Sequence, residues 1–342
     1  MQYLDKNFEN KNWPWIELMI PKIREDILFP KITIVTPSFN QGIFLEETIL
    51  SVLNQNYPNL EYIIIDGGSS DNSINIIKKY EKHLTYWISE KDNGQSDAIN
   101  KGIIMATGDI FNWLNSDDFL SPRALFIVAE QFKNTKISVV CGKTYHYGNG
   151  DPYISAPSTY FDYQNEKAFV PRINQPATFF KMDIIKELGP LNNNLHYCMD
   201  LEWWVKYLFL HGHQHISFRE DVLVNFREHK MSKTMSQSFK FTEDKCLLLI
   251  SILSKKRGIK NSFGDHIFDI DFNNYSIEFL EKMSAHELLM GVIVFYGRRE
   301  FKKIKIILNY LNVKYLSEAE LKKLNVIKFR IKYIPVFILK LI

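Results

Sequence analysis

At 342 residues, with 46% hydrophobic and 24% charged side chains, the chain exceeds one average domain and is neither disordered nor fibrous in composition. A formal charge of +3 gives no basic field for nucleic acid, and three scattered cysteines (Cys141, Cys198, Cys246) form neither a disulfide framework nor a zinc pattern. The opening MQYLDKNFEN lacks the basic and apolar stretches of a signal peptide, and no apolar run nears the roughly 20 residues of a membrane span, so a cytoplasmic chain, at most peripheral on the membrane, is expected.

Residues 1–30, with Trp13-Pro14-Trp15, Pro21 and Pro30, read as an N-terminal extension lying over the body. ITIVTP (32–37) is a β-branched run stopped by proline, the pattern of a buried parallel strand. A helix is expected from about Phe44 to Leu53, then a strand EYIIID (61–66) broken at Gly67-Gly68. Asp71-Asn72 can cap a helix running through Tyr80. LTYWIS (84–89) is a third strand, 96–106 a third helix, and DIFNWLN (109–115) a fourth strand running into Ser116-Asp117-Asp118. Ser121-Pro122 opens another helix, with Pro122 at its first position. ISVVCG (137–142) is a fifth strand, 143–170 reads as irregular, and INQPATFF (173–180) resumes extended structure. A short helix ends near Gly189, a buried helix spans Asp200 to Leu210, and DVLVNFRE (221–228) closes a domain covering 31–237. Residues 238–342 change to helical segments rich in Leu, Ile and Lys, ending in VIKFRIKYIPVFILKLI.

Strands alternating with helices imply right-handed crossovers and a mainly parallel sheet, with a ligand crevice at the strands' carboxyl ends. The polar clusters TPSFNQ, DGGSSDN, SEKDNGQSD and NSDD all fall at those ends. Dinucleotide and P-loop glycine patterns are missing. The adjacent carboxylates of Asp117 and Asp118 repel unless a cation or donor sits between them, and such oxygens suit Mg²⁺ or Mn²⁺. Alternatively, Asp118 caps the helix that follows. In SEKDNGQSDAINKG (89–102), Asp97 stands at a helix start, either beside a bound ligand or as a plain cap. His211, His213 and His215 span a helix end, a glycine and a new strand, so they do not converge on a metal, and Cys198 reads as a packing thiol.

The ordered series TPSFNQ, IIIDGGSSDN, SEKDNGQSDAINKG, ATGDIFNWLNSDD, QPATFF and CMDLEWW resembles the inverting glycosyltransferases of family 2 over residues 31–230. The resemblance implies the GT-A fold, a Rossmann-like α/β sheet flanked by helices, here followed by a helical C-terminal segment. It implies that Thr36, Pro37 and Ser38 line a nucleotide pocket, that Asp66 reads the base and that Asp97 contacts the nucleoside. Asp117 and Asp118 match the latter part of the family's D-x-D motif, with Asp118 the metal ligand and Asp117 near ribose or metal. Asn115 stands where that motif begins with aspartate, which removes a charge next to the ribose. Asp200 matches the catalytic base, with Glu202 as its rival and Met199 where an acidic residue often stands. Gln175 and Pro176 match a segment between the donor and acceptor sites. His229 matches a histidine that reaches the diphosphate or metal, with Arg227 or Lys230 adding positive charge. The implied cofactor is Mn²⁺ or Mg²⁺. The implied partners are a nucleotide-sugar donor, foremost a UDP-sugar, and a glycan or lipid-linked acceptor of polysaccharide or glycolipid biosynthesis. Two other readings remain: a non-catalytic nucleotide-sugar binder, and a nucleotidyltransferase. The basic, amphipathic tail suits either a membrane surface or a lid.

Overall fold

The computed structural model describes residues 13–15, 29–157, 174–263, 271 and 274–333. They fall into two compact units, the first ending at Lys230 and the second beginning at Met231. The first unit is built on one sheet, whose opening half is four parallel strands: β1 (Ile32–Ser38), β2 (Leu60–Asp66), β3 (Tyr86–Ser89) and β4 (Ile110–Trp113). Helices α1 (Leu45–Leu53), α2 (Ser73–Tyr80) and α3 (Gln95–Met105) connect them. The sheet then turns mixed. A short β5 (Phe119–Leu120) and helix α4 (Ala124–Phe132) lead to β6 (Val139–Tyr147) and its partner β7 (Tyr153–Ser155). Strand β8 (Thr178–Lys181) inserts antiparallel between β4 and β6, and β9 (Ile216–Arg227) lies parallel to β6. The order is β3-β2-β1-β4-β8-β6-β9-β5, with β7 on β6.

Period-two alternation assigns each strand's side chains to two faces. Ile32 and Ile34 join Leu45, Ile49 and Val52 of α1 and Phe179 of β8 in a fully buried core. The opposite face carries α6 (Met199–His211), whose Trp203 packs against Phe111, Trp113 and Phe180 with ring centroids 5.6–6.4 Å apart. Gly102 of α3 rests on Val35, closer than any side chain at that position would permit.

Three local readings are corrected. The helix opened by Ser121-Pro122 starts only at Ala124, because Arg123 takes a left-handed backbone (φ 64°) after β5. Asp118 therefore does not cap it; two strand residues intervene. Residues 143–157 are not irregular: β6 continues to Tyr147 past an irregularity in its pairing with β9 near Gly142, and β7 pairs back on it. Residues 175–177 form a short 3-10 turn rather than strand. At the expected extension, Trp13 Nε1 donates to the Leu120 carbonyl (2.8 Å) and Asn54 Nδ2 to that of Pro14 (2.7 Å).

The second unit is helical. Its members are α7 (Lys233–Ser236), α8 (Ser238–Arg257), α9 (Ile277–Gly297), α10 (Phe301–Leu308) and α11 (Glu318–Tyr333). Helix α9 is its centre: Gly291 lets the Cys246 thiol of α8 and Ile307 of α10 approach closely, and Glu281 pairs with Arg257 at 2.7 Å. Among the described residues no helix is long and apolar enough to cross a membrane. The terminal VFILKLI lies outside the described residues.

Candidate active site

Parallel register brings the first three strands to a common rim, with Ser38, Asp66 and Ser89 paired in one row. Val35 pairs with Trp113, so the chain leaving β4 reaches the same rim with Asn115-Ser116-Asp117-Asp118. Thr36 is wholly buried, its hydroxyl 3.1 Å from that of Tyr62, and so faces the core. Pro37 is buried as well. Ser38 is 4% exposed, and its hydroxyl has no hydrogen-bond partner among the described residues. A buried, unsatisfied hydroxyl at a strand end is the kind of group that a ligand satisfies.

Asp66 is fully buried, and its own surroundings engage it. Its carboxylate accepts the backbone N–H groups of Gly68 (3.2 Å) and Ser69 (2.9 Å) and the hydroxyls of Ser69 (2.5 Å) and Ser89 (2.7 Å). It thereby fixes the turn after β2, where Gly68 takes a left-handed backbone (φ 82°). Asp97 accepts the Asn93 N–H at 3.0 Å and lies 3.8 Å from Lys101, the behaviour of a first-turn helix acid.

The NSDD segment gathers most of the charge. Asp118 is 1% exposed. Burial, and then the charge of Asp117, push its carboxyl well above the usual range, although the Arg227 N–H (3.1 Å) and the Asn115 amide (3.3 Å) partly offset this. Asn115 is itself held by Gln95 Nε2 at 2.7 Å. Arg227 ends β9 here: its Nε donates to the Asp117 carbonyl (3.2 Å), its guanidinium pairs with Glu47 of α1, and it lies over the rings of Phe44 and Tyr147 at 4.7 and 5.0 Å. His229 reaches the segment, with Nε2 2.9 Å from Asp117 Oδ2 and its ring 4.6 Å from that of Phe44. In this arrangement His229 orients Asp117.

Helix α6 runs against the direction of β4 and β6. Its Trp203 packs on Trp113 near the exit of β4, whereas Tyr207, one turn later, meets Ser138 at the entrance of β6 (2.7 Å). Asp200, nearly a turn before Trp203, therefore stands at the same rim as NSDD, half-buried. The segment before it is tied to α3, where Asn100 exchanges two hydrogen bonds with the backbone of Leu191 (2.9 and 2.8 Å). Glu202 is 2% exposed and pairs with Lys206 at 2.8 Å along the helix. Gln175 donates to the Trp113 carbonyl (2.9 Å), which holds the 3-10 turn beside β4. His211 and His215 find separate partners, Glu187 and the Lys136 carbonyl, each at 3.0 Å. Among the described residues no three His, Cys, Asp or Glu side chains converge as a ready-made metal cage.

Comparison with known proteins decides the family. The glycosyl transferase family 2 model matches residues 33–194, the span holding β1, Asp66 and NSDD. This chain carries a glycosyltransferase family 2 domain. An uncharacterized glycosyltransferase of Rickettsia typhi is 25% identical over 223 residues, 62% of this chain and 68% of the relative. The poly(ribitol-phosphate) beta-N-acetylglucosaminyltransferase TarP of Staphylococcus aureus is 34% identical over 140 residues, 40% of this chain and 42% of TarP. An uncharacterized glycosyltransferase of Haemophilus influenzae is 40% identical over 95 residues, 27% of this chain and 38% of the relative, so the chain spans well under half the length of these last two. Among solved structures, S. aureus TarS 1-349 superposes with a TM-score of 0.60 at 15% identity, covering 83% of this chain and 82% of TarS. The mannosyltransferase PcManGT from Pyrobaculum calidifontis, in complex with GDP-Man and Mn²⁺, gives 0.53 at 15% identity over 92% and 86%. At such identities the likeness speaks for the fold, which is GT-A.

Within this family 2 glycosyltransferase domain, three contributors lie outside the recognised motifs and a fourth, Phe39, lies inside one read for its other residues. Phe44 just before α1, Glu47 of α1 and Tyr147 of β6 surround Arg227, and Phe39, 58% exposed, follows β1 at the rim. An exposed aromatic in TPSFNQ is the one signal that sequence offered for any of them. The other three are ordinary residues until the sheet brings them together.

Proposed function

We propose that the chain transfers a sugar from a nucleoside-diphosphate sugar, foremost a UDP-sugar, to an acceptor hydroxyl with inversion at the anomeric carbon. The observation that carries this reading is the pair Asp117 and Asp118, one carboxylate fully buried, placed at the strand-exit rim that Asp200 also reaches. A buried carboxylate with a like-charged neighbour needs a cation to remain ionised. One or two carboxylates completed by substrate phosphate oxygens is the usual protein share of a Mg²⁺ or Mn²⁺ shell, so the residues fit such an ion. Asp118 would hold it and Asp117, oriented by His229, would support it. When bound, the ion acts as a Lewis acid that offsets charge on the leaving diphosphate.

The remaining work falls to side chains. Ser38, with its open hydroxyl, and Phe39, with its exposed ring, face the nucleotide, whereas Asp66 shapes the turn that receives the base. Arg227 and His229 add positive charge next to the diphosphate. Asp200 takes the proton of the attacking hydroxyl on the side opposite the leaving group. Carboxylates are weak bases at neutral pH, so that transfer comes late, as the new bond forms. The buried pairing of Glu202 with Lys206 favours Asp200 over its rival.

General-base catalysis is worth about 10²–10⁴ in rate. Asp200→Asn should lose that much turnover and keep its affinity for UDP with Mn²⁺, as measured by radiolabelled transfer and calorimetry. Full activity in this variant would return the role to Glu202. Release of nucleoside diphosphate marks a glycosyltransferase, pyrophosphate a nucleotidyltransferase, and neither a binder.

The acceptor class that fits is a glycan or lipid-linked saccharide, reached from the cytoplasmic side. On α11, Val326, Phe329 and Tyr333 are exposed among Lys322, Lys323, Lys328, Arg330 and Lys332, a composition suited to an anionic leaflet. Flotation of the full chain with phosphatidylserine vesicles, lost on truncation at Asn325, would support peripheral attachment; equal flotation of both would remove it.

A further inference from the structure

We infer that the face of the sheet around the β6–β7 hairpin is the acceptor-sugar subsite, a platform for one pyranose ring made by Tyr153, His146 and Glu228. The inference rests on the glycosyl-transfer reading above and gives it a place for the second substrate.

Strand direction supplies the location. Strands β6 and β9 run parallel and end together, with Tyr147 paired to Arg227. The Arg227 N–H donates to Asp118, so the residues flanking this pair border the NSDD segment. Tyr147 and Arg227 point to the face that carries α1, as the contacts of Arg227 with Phe44 and Glu47 show. Their neighbours His146 and Phe226 point away from Arg227 across the strand. The cluster is tied to the rim a second time: Ser155 of β7 donates to Asn174, and the next residue, Gln175, donates to the Trp113 carbonyl at the exit of β4. The cluster thus borders the rim that Asp200 also reaches, where an acceptor hydroxyl must be delivered.

Chemistry supplies the occupant. The rings of His146 and Tyr153 stack in parallel, 4.4 Å apart at 4°, and Phe226 backs His146 at 5.0 Å. Tyr153 is 50% exposed, so the stack covers one face of its ring and leaves the other to solvent. The stack is held from below: His146 Nε2 lies 2.8 Å from Ser155 Oγ, which donates to Asn174 at 3.0 Å. The Tyr153 hydroxyl donates to Glu228 Oε1 (3.0 Å), with His146 Nδ1 3.4 Å from the same oxygen. Glu228 Oε2 accepts no hydrogen bond among the described residues. A rigid aromatic face beside an open carboxylate oxygen matches the apolar C–H face and the equatorial hydroxyls of a pyranose, an apolar wall with few placed polar groups.

The probes are methyl β-D-glucopyranoside, methyl β-D-galactopyranoside and methyl N-acetyl-β-D-glucosaminide, added to the full chain holding UDP and Mn²⁺. Saturation-transfer NMR should show at least one of them bound through the C–H protons of one ring face. Its affinity should fall about tenfold in Y153A and about twofold or less in Y153F, which keeps the ring. UDP affinity should be unchanged in Y153A; loss of UDP binding by the wild-type chain would instead count against the donor reading. Independently of any variant, the bound glycoside should shift the His146 ring C–H resonance. Equal glycoside binding by wild type and Y153A, a silent His146 resonance, or no glycoside bound by a wild type that binds UDP would each overturn the assignment.

Discussion

Two buried acids at opposite rims of the same sheet meet opposite fates. Glu61, at the entrance of β2, is 2% exposed; Asp118, beyond the exit of β4, is 1% exposed. Burial pushes the pKa of both upward, but Glu61 receives Lys31 Nζ (2.7 Å), the Thr107 hydroxyl (2.6 Å) and N–H (2.7 Å) and the Thr33 hydroxyl (2.6 Å). These donors outweigh burial and bring its pKa down from 4.5 to about 2. Asp118 has two neutral donors, one of them long at 3.3 Å, and a second carboxylate beside it, so its pKa moves up. The difference is between a charge that the fold has answered and a carboxylate whose ionisation the fold opposes.

That contrast can be broken at either end. The largest effect is expected from Asp118→Asn, which should weaken Mn²⁺-dependent UDP binding by more than about 100-fold in calorimetry if Asp118 is the metal ligand we propose. Glu61→Gln should leave that binding intact, and equal losses in the two variants would end the distinction. Next in size, Glu61→Gln should cost about 3 kcal/mol of folding stability at neutral pH, the energy equivalent of its depressed pKa. The sign follows from the depression: the contribution is present above 4.5 and is lost as pH falls toward about 2. Urea unfolding at pH 7 and pH 3 should therefore show the gap between wild type and variant shrinking at the lower pH. The smallest effect is in the opposite direction. In chelator at neutral pH, Asp118→Asn should raise the melting temperature by about 2–4 °C, because it replaces a buried carboxylate whose ionisation burial and Asp117 oppose with a neutral amide of similar shape. A fall would mean that Arg227 and Asn115 already satisfy Asp118.

The alternation of apolar runs with polar strand ends made the parallel half of the sheet and its rim legible, since a buried strand must be β-branched and its exit must not be. NSDD could be marked as chemical because adjacent carboxylates beyond a buried strand repel unless a cation or donor answers them, whereas CMDLEWW and FREH are marked by their resemblance to family 2. Roles were harder to read. Asp66 ends a strand and Asp97 opens a helix, and in the structure their contacts serve the turn after β2 and the first turn of α3. Thr36 looks like a rim residue but points inward to Tyr62, since its place in the alternation of β1 outweighs its polarity.

Sequence by itself determined the parallel strands and their helices, the family and the candidate acids, because periodicity and local composition are short-range properties of the chain. Tertiary structure decided which acids share a site and which are already satisfied. Glu61 and Asp118 are both acids next to buried strand residues. What separates them is Lys31 and Thr107 on one side and Asp117 on the other. Lys31 and Thr107 lie 30 and 46 positions from Glu61 and reach it only when β1, β2 and the end of α3 are folded side by side.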